Sequence, residues 1–216
     1  MEIFNNYIII VGFGILLGFL SSLYIFSLEK ERIIKPKDLF LLNEKKFLLK
    51  EMLIIICMDI TICLFLFIKF GAGLEFCKYT TFILLMAIIG IVDFKTQYIY
   101  NSTIVLGVLA AALFICLNIG SGVFPINEFL GGLVGYFVIY FIEKITKGLG
   151  EGDKEVSFVI GFFIGMEKVL YILLIAGIIG SVVSIILIIL KKKCKNSEIA
   201  FCPYLTIASM FVLLIF

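Results

Sequence analysis

Eight stretches of this chain are apolar for long enough to form helices, and each is bounded by charged or turn-forming breaks. They run 7–27, 52–70, 79–93, 103–120, 128–145, 154–166, 168–190 and 199–216. A transmembrane helix needs about 20 mostly apolar residues, and most of these runs approach that length. None shows the period-2 alternation of a transmembrane strand. The expectation is an all-α, polytopic helical membrane protein of about eight spans, treated as one integral membrane domain over 1–216. Composition agrees: 62% of residues are hydrophobic and 16% charged, against roughly 45–50% and 25% in a soluble domain. Soluble globular, disordered and fibrous classes are excluded.

Orientation follows from the Lys/Arg bias of the loops. The 28–51 segment carries Lys30, Arg32, Lys35, Lys37, Lys45, Lys46 and Lys50. Lys95, Lys144, Lys147, Lys154 and the run Lys191, Lys192, Lys193, Lys195 fall on the same side of the alternating spans. Only Lys69, Lys78 and Lys168 fall on the other. The basic side is expected to be cytoplasmic, with 28–51 as a cytoplasmic loop and both termini outside. The N-terminus lacks the basic start of a secretory signal and is expected to remain as the first span. No aromatic residue interrupts the basic run 191–195, so a membrane-surface anchor is expected there and no nucleic-acid partner. The sixth stretch is the shortest. Its 12 or so residues reach about 18 Å of a 30 Å core, so either it extends past Glu167 and Lys168 or it starts below the membrane surface.

The chain contains no histidine, which removes Ser-His-Asp and Cys-His triads and HExxH zinc hydrolysis. Acid–base chemistry must come from other groups. Of the four aspartates, Asp38 sits in the polar 28–51 loop and Asp59 inside the second span. Asp93 closes the third apolar run, and Asp153 closes the turn Gly148-Leu149-Gly150-Glu151-Gly152-Asp153 ahead of the next. The positive-inside count puts both at cytoplasmic ends of spans. Either acid could simply cap a helix, which suits Asp153 at a helix start and suits Asp93 poorly at a helix end. Alternatively the two form a carboxylate pair sharing one proton, one activating water while the other polarises a scissile carbonyl. Gly150 and Gly152 would then give backbone freedom for an extended peptide to approach.

At these residues the chain resembles the type IV prepilin peptidases, polytopic aspartic proteases of the GxGD class. Gly150-Glu151-Gly152-Asp153, then Val156, Gly161 and Gly165, is similar to their second motif. Asp93-Phe94-Lys95-Thr96-Gln97-Tyr98-Ile99-Tyr100-Asn101 is similar to their first, with Tyr100 where proline is common. Gly14 to Ser22 resembles the family's first span, and Phe201-Cys202-Pro203-Tyr204-Leu205 the opening of its last helix. The resemblance implies that Asp93 and Asp153 are the catalytic pair within a peptidase core over 79–216. It also implies substrates that are prepilins or pilin-like proteins with short basic leaders, cut at the cytoplasmic face of the bacterial inner membrane.

The chain also departs from that pattern. Many members carry two CxxC pairs that bind zinc in the first cytoplasmic loop, but 28–51 contains no cysteine and no CxxC occurs anywhere. No metal is expected. The cysteines are expected to be small core residues without disulfides. S-adenosylmethionine is implied only if methylation of the new amino terminus is retained. Asp59, costly at membrane depth, is expected to be structural. The glycine pairs Gly14/Gly18, Gly131/Gly135 and Gly161/Gly165 are expected to pack helices, and Glu143 to pair with Lys147. Two alternatives stay open. One is a small ion-coupled transporter using Asp59. The other is a presenilin-like GxGD protease, disfavoured by Val92 before the first acid and by Pro203-Tyr204-Leu205 in the last span.

Overall fold

The computed structural model describes residues 2–32, 44–120, 125–146, 149–190 and 200–216. Among them are eight helices and no strand: α1 (Glu2–Arg32), α2 (Glu44–Phe70), α3 (Leu74–Thr96), α4 (Asn101–Gly120), α5 (Ile126–Thr146), α6 (Glu151–Ile164), α7 (Met166–Ile189) and α8 (Cys202–Ile215). Asp38, Gly148, Lys147 and the basic run 191–195 lie outside the described residues.

Six helices are long and apolar enough to cross a bilayer, rather than the eight expected: Ile10–Leu28, Met52–Phe70, Leu74–Thr96, Asn101–Ile119, Ile126–Thr146 and Met166–Leu187. The protein is an integral membrane protein with six candidate spans. Leu16, Ile68, Leu109, Ile145, Leu174 and Ile189 are all more than half exposed, an inversion of the soluble pattern that suits a lipid surround. The two exceptions, α6 and α8, have 14 residues each, about 21 Å of rise. Extension of the sixth run past Glu167 is ruled out by a break. Gly165 adopts φ 89° and ends α6, and the Met166 N–H that opens α7 donates to Asn127 Oδ1 at 3.0 Å.

The chain divides into two compact units, Met1–Thr80 and Thr81–Phe216. In the first, α1 lies close against α2 because two glycines permit it. A Cβ on Gly14 would meet the Ile60 backbone, and one on Gly18 the Ile56 backbone and Asp59. Ile10, Cys63, Leu66 and Phe76 form its buried cluster.

In the second unit α6 is the centre. It is buried almost all round, from Val156 through Ser157, Val159, Ile160 and Gly161 to Ile164, as expected of a helix that is apolar on every face. Glycines again set the approach. A Cβ on Gly131 would overlap the Gly161 carbonyl, and one on Gly135 the Ser157 carbonyl, so α5 meets α6 backbone to backbone. Phe163 then fills the gap towards α3 and α4, with ring centroids 5.3 Å from Phe82 and 6.3 Å from Phe114. The expected Glu143–Lys147 pair cannot be placed, and Glu143 instead meets Lys154 of α6 at 3.3 Å. Of the five described cysteines only Cys63 and Cys202 are buried. The core reading therefore fails for Cys57, Cys77 and Cys116, which sit on exposed helix faces as small apolar groups.

Candidate active site

Three helix ends meet at one place in the second unit: the C-terminus of α3 and the N-termini of α6 and α8. Thr96 helps to end α3. Its hydroxyl donates back to the Val92 carbonyl at 2.8 Å and accepts the Tyr98 N–H at 3.3 Å. Gln97 then turns into the left-handed region at φ 51°, and its N–H closes on the Asp93 carbonyl at 2.8 Å. This is an αL C-cap made without glycine. It frees residues 98–100 to run alongside the first turn of α6, where a Cβ on Gly152 would press on Ile99.

The two glycines of the motif have different neighbours. Gly152 permits a close approach by Ile99. Gly150 sits at φ −74°, ψ 152°, an ordinary extended conformation, and a Cβ there would touch only Asp153 Oδ2, at 3.5 Å. Neither has a positive φ.

Asp153 is the third residue of α6, and its Oδ2 accepts the Gly150 N–H at 2.9 Å. This is the carboxylate half of a capping box; the glycine has no side chain to supply the other half. On the opposite side, α8 docks on α3 through a small-residue contact. A Cβ on Gly90 would collide with Thr206, whose hydroxyl donates to the Met86 carbonyl at 2.7 Å. One helical turn before Thr206 this register brings Cys202 to Asp93, and the Cys202 N–H donates to Asp93 Oδ2 at 3.1 Å. Asp93 thus caps α8 although it ends α3. The Cys202 thiol donates to Asp153 Oδ1 at 3.3 Å.

Both acids are buried, at 5% and 3% exposure, and an oxygen of each lies within 4.8 Å of the other and of the Cys202 sulfur. The structure therefore brings Asp93 and Asp153 together, with the capping and pairing roles combined in each. With its proton donated to Asp153, the thiol serves as a hydrogen-bond donor in this trio. Asp153 precedes the apolar run of α6 and lies outside the six long helices. Burial pushes its carboxyl up to about 6; the charges of Asp93 and Glu143 push the same way, against the hydrogen bonds from Cys202 and Gly150. Two carboxyls this close, one of them pushed up to about 6, titrate as a coupled pair in which one ionises more readily than the other.

A cleft of about 410 Å³ opens on the pair. Gly150 and Gly152 line it, as do four acids, Asp93, Glu151, Asp153 and Glu155, with no lysine or arginine among the described lining residues. Gln97, Tyr98, Asn101 and Phe201 complete its polar and aromatic wall. Asp59 is not part of it. That residue is buried in the first unit, where Ser21 donates to Oδ2 at 2.8 Å, in line with a structural role.

Residues 80–185 match the Type IV leader peptidase family. This chain carries a Type IV leader peptidase region. The matched region contains both acids and the whole Gly150–Asp153 motif. A prepilin leader peptidase/N-methyltransferase of Bacillus subtilis is 28% identical over 160 residues, covering 70% of this chain and 61% of the relative. Another of that name, from Aeromonas salmonicida, is 30% identical over 104 residues, covering 45% of this chain and 36% of the relative. The chain thus spans between 36% and 61% of the length of these curated relatives. No solved structure matches it.

Proposed function

We propose that this protein is a membrane aspartic endopeptidase. It removes the short basic leader from type IV prepilins or pilin-like proteins on the cytoplasmic side of the bacterial inner membrane. The observation that carries this reading is the pairing of Asp93 and Asp153, each buried and with oxygens within 4.8 Å, at the base of an open acidic cleft. One carboxyl of the pair keeps a proton while its partner is ionised. The ionised carboxylate takes a proton from water as the water oxygen attacks the scissile carbonyl. The protonated carboxyl donates to the carbonyl oxygen; the carboxyl that took the water proton then passes it to the departing nitrogen, the other takes back a hydroxyl proton, and the C–N bond breaks to release the leader acid and the new amine. No metal is needed for these steps. Glu151 and Glu155 beside the pair complement a basic leader, and the positive-inside count supports a cytoplasmic active site.

Methyl transfer with S-adenosylmethionine is a separate matter. The two relatives above carry N-methyltransferase in their names, but the 28–51 segment of this chain has no cysteine. Peptidase activity is the reading adopted here.

The test is co-expression with a prepilin in cells that lack their own leader peptidase. Wild type yields the shortened pilin, and Asp93→Asn and Asp153→Asn, expressed in membranes at the same level, leave the precursor intact. Full processing by either variant contradicts the reading.

A further inference from the structure

Cys202 touches both acids and was not singled out by its sequence context, which reads as one more small residue in an apolar run. It is fully buried and is the first residue of α8. Its N–H is the donor this helix end has to offer, because Pro203 has none and the Tyr204 and Leu205 N–H groups close on the Phe201 carbonyl. That N–H goes to Asp93, and the thiol goes to Asp153.

We propose that Cys202 is the positioning residue that holds Asp93 and Asp153 as one pair, its main chain orienting the first acid and its thiol the second. This rests on the peptidase reading above. The geometry gives Asp153 two fixed points, the thiol on Oδ1 and the Gly150 N–H on Oδ2, so its carboxyl plane is set. The chemistry of the side chain suits the task. A thiol is small and neutral and donates weakly, so it orients a carboxyl without neutralising the charge that catalysis needs. A lysine or arginine here would hold the acid ionised. The Gly90–Thr206 contact one turn along α8 locks the register from which Cys202 reaches both.

The charged and titratable groups facing Asp153 are Asp93 from α3, Cys202 from α8 and Glu143 from α5. Glu151 and Glu155 of its own helix share the cleft, and Lys154 is drawn to Glu143. Removing the thiol takes away a donor that favours the ionised carboxylate, so the pair ionises at higher pH.

The experiment uses the full chain in lipid nanodiscs. The substrate is a reporter with a short basic leader ending in glycine, followed by an apolar helix, and cleavage is followed across pH. Cys202→Ala keeps the main-chain N–H and loses the thiol. It is expected to lower kcat by about tenfold, as loss of one hydrogen bond to a charged group does, with KM within about twofold. The acidic limb of the pH profile is expected to move up by about half a unit. Cys202→Ser, which keeps a donor, restores both, and Cys202→Gly repeats the loss if alanine disturbs packing. Cys116→Ala, on an exposed face of α4, matches wild type. The proposal is overturned if the alanine or glycine variant keeps the wild-type pH profile, or if serine is as impaired as alanine. A wild-type protein that leaves the reporter uncut overturns the peptidase reading itself, and this proposal with it.

Discussion

Asp59 and the Asp93/Asp153 pair are all buried acids in apolar helices, yet the two regions treat them differently. Asp59 is enclosed by a glycine-mediated contact of α1 with α2 and holds Ser21. Asp93 and Asp153 sit at helix ends, hold each other's neighbour Cys202, and face an open cleft. Burial is common to both regions; access to a cleft and a second acid are found only where helices stop.

The largest expected effect breaks the comparison directly. Asp93→Asn and Asp153→Asn each lower prepilin cleavage by about 100-fold or more, the usual worth of a general acid or base. Asp59→Asn stays within about twofold, because an amide still accepts from Ser21. If the pattern reverses, with flux of an ion lost only at Asp59, the transporter alternative returns.

A smaller effect comes from the glycines. Gly152→Val puts side-chain atoms into Ile99 and is expected to cost about tenfold or more in cleavage by shifting the acids. Gly150→Ala, where a Cβ meets one atom at ordinary contact distance, costs about threefold at most. The fraction of mature pilin, measured on matched expression, separates the two.

In the first unit the equivalent change acts on stability. Gly18→Val overpacks the α1–α2 contact and is expected to destabilise by about 1–3 kcal/mol, while cleavage per folded molecule is kept. The chain has no tryptophan, so loss of helical circular dichroism is the suitable thermal probe.

The smallest effect depends on pH. Asp153 has a folded pKa of about 6 against 3.8 as the ordinary value, so the folded state binds its proton more tightly than the unfolded state. Stability from this group is therefore lost as pH rises from about 4 to about 6 and stays lost above. Asp153→Asn has no such term. Its melting temperature is expected to gain on wild type over that window and to hold a constant offset above it. An offset independent of pH from 4 to 7 would contradict the burial of this acid.

The helical membrane class, the two acids and the packing glycines were legible in the sequence because each leaves a local mark. Apolar runs stop at Asp93 and at Asp153, and Gly131 and Gly161 stand at helical spacing from further glycines. Three things were not legible. The last helix starts only at Cys202, since Pro203 suits only the first turn of a helix. The left-handed turn at Gln97 falls on a residue with no special preference for it. The role of Cys202 within the Phe201–Leu205 stretch was not legible, because it depends on the α3–α8 register, a contact between residues more than a hundred positions apart. A cysteine directly before the Pro203 helix start was the one available hint.

The central claim is that Asp93 and Asp153 act as one unit. The most direct measurement is single-turnover cleavage by purified wild type, both single Asn variants and the double variant. The account predicts that losing either acid costs as much as losing both, the non-additivity expected of groups that share one proton. Single losses that multiply in the double variant would mean two independent sites, and would contradict it.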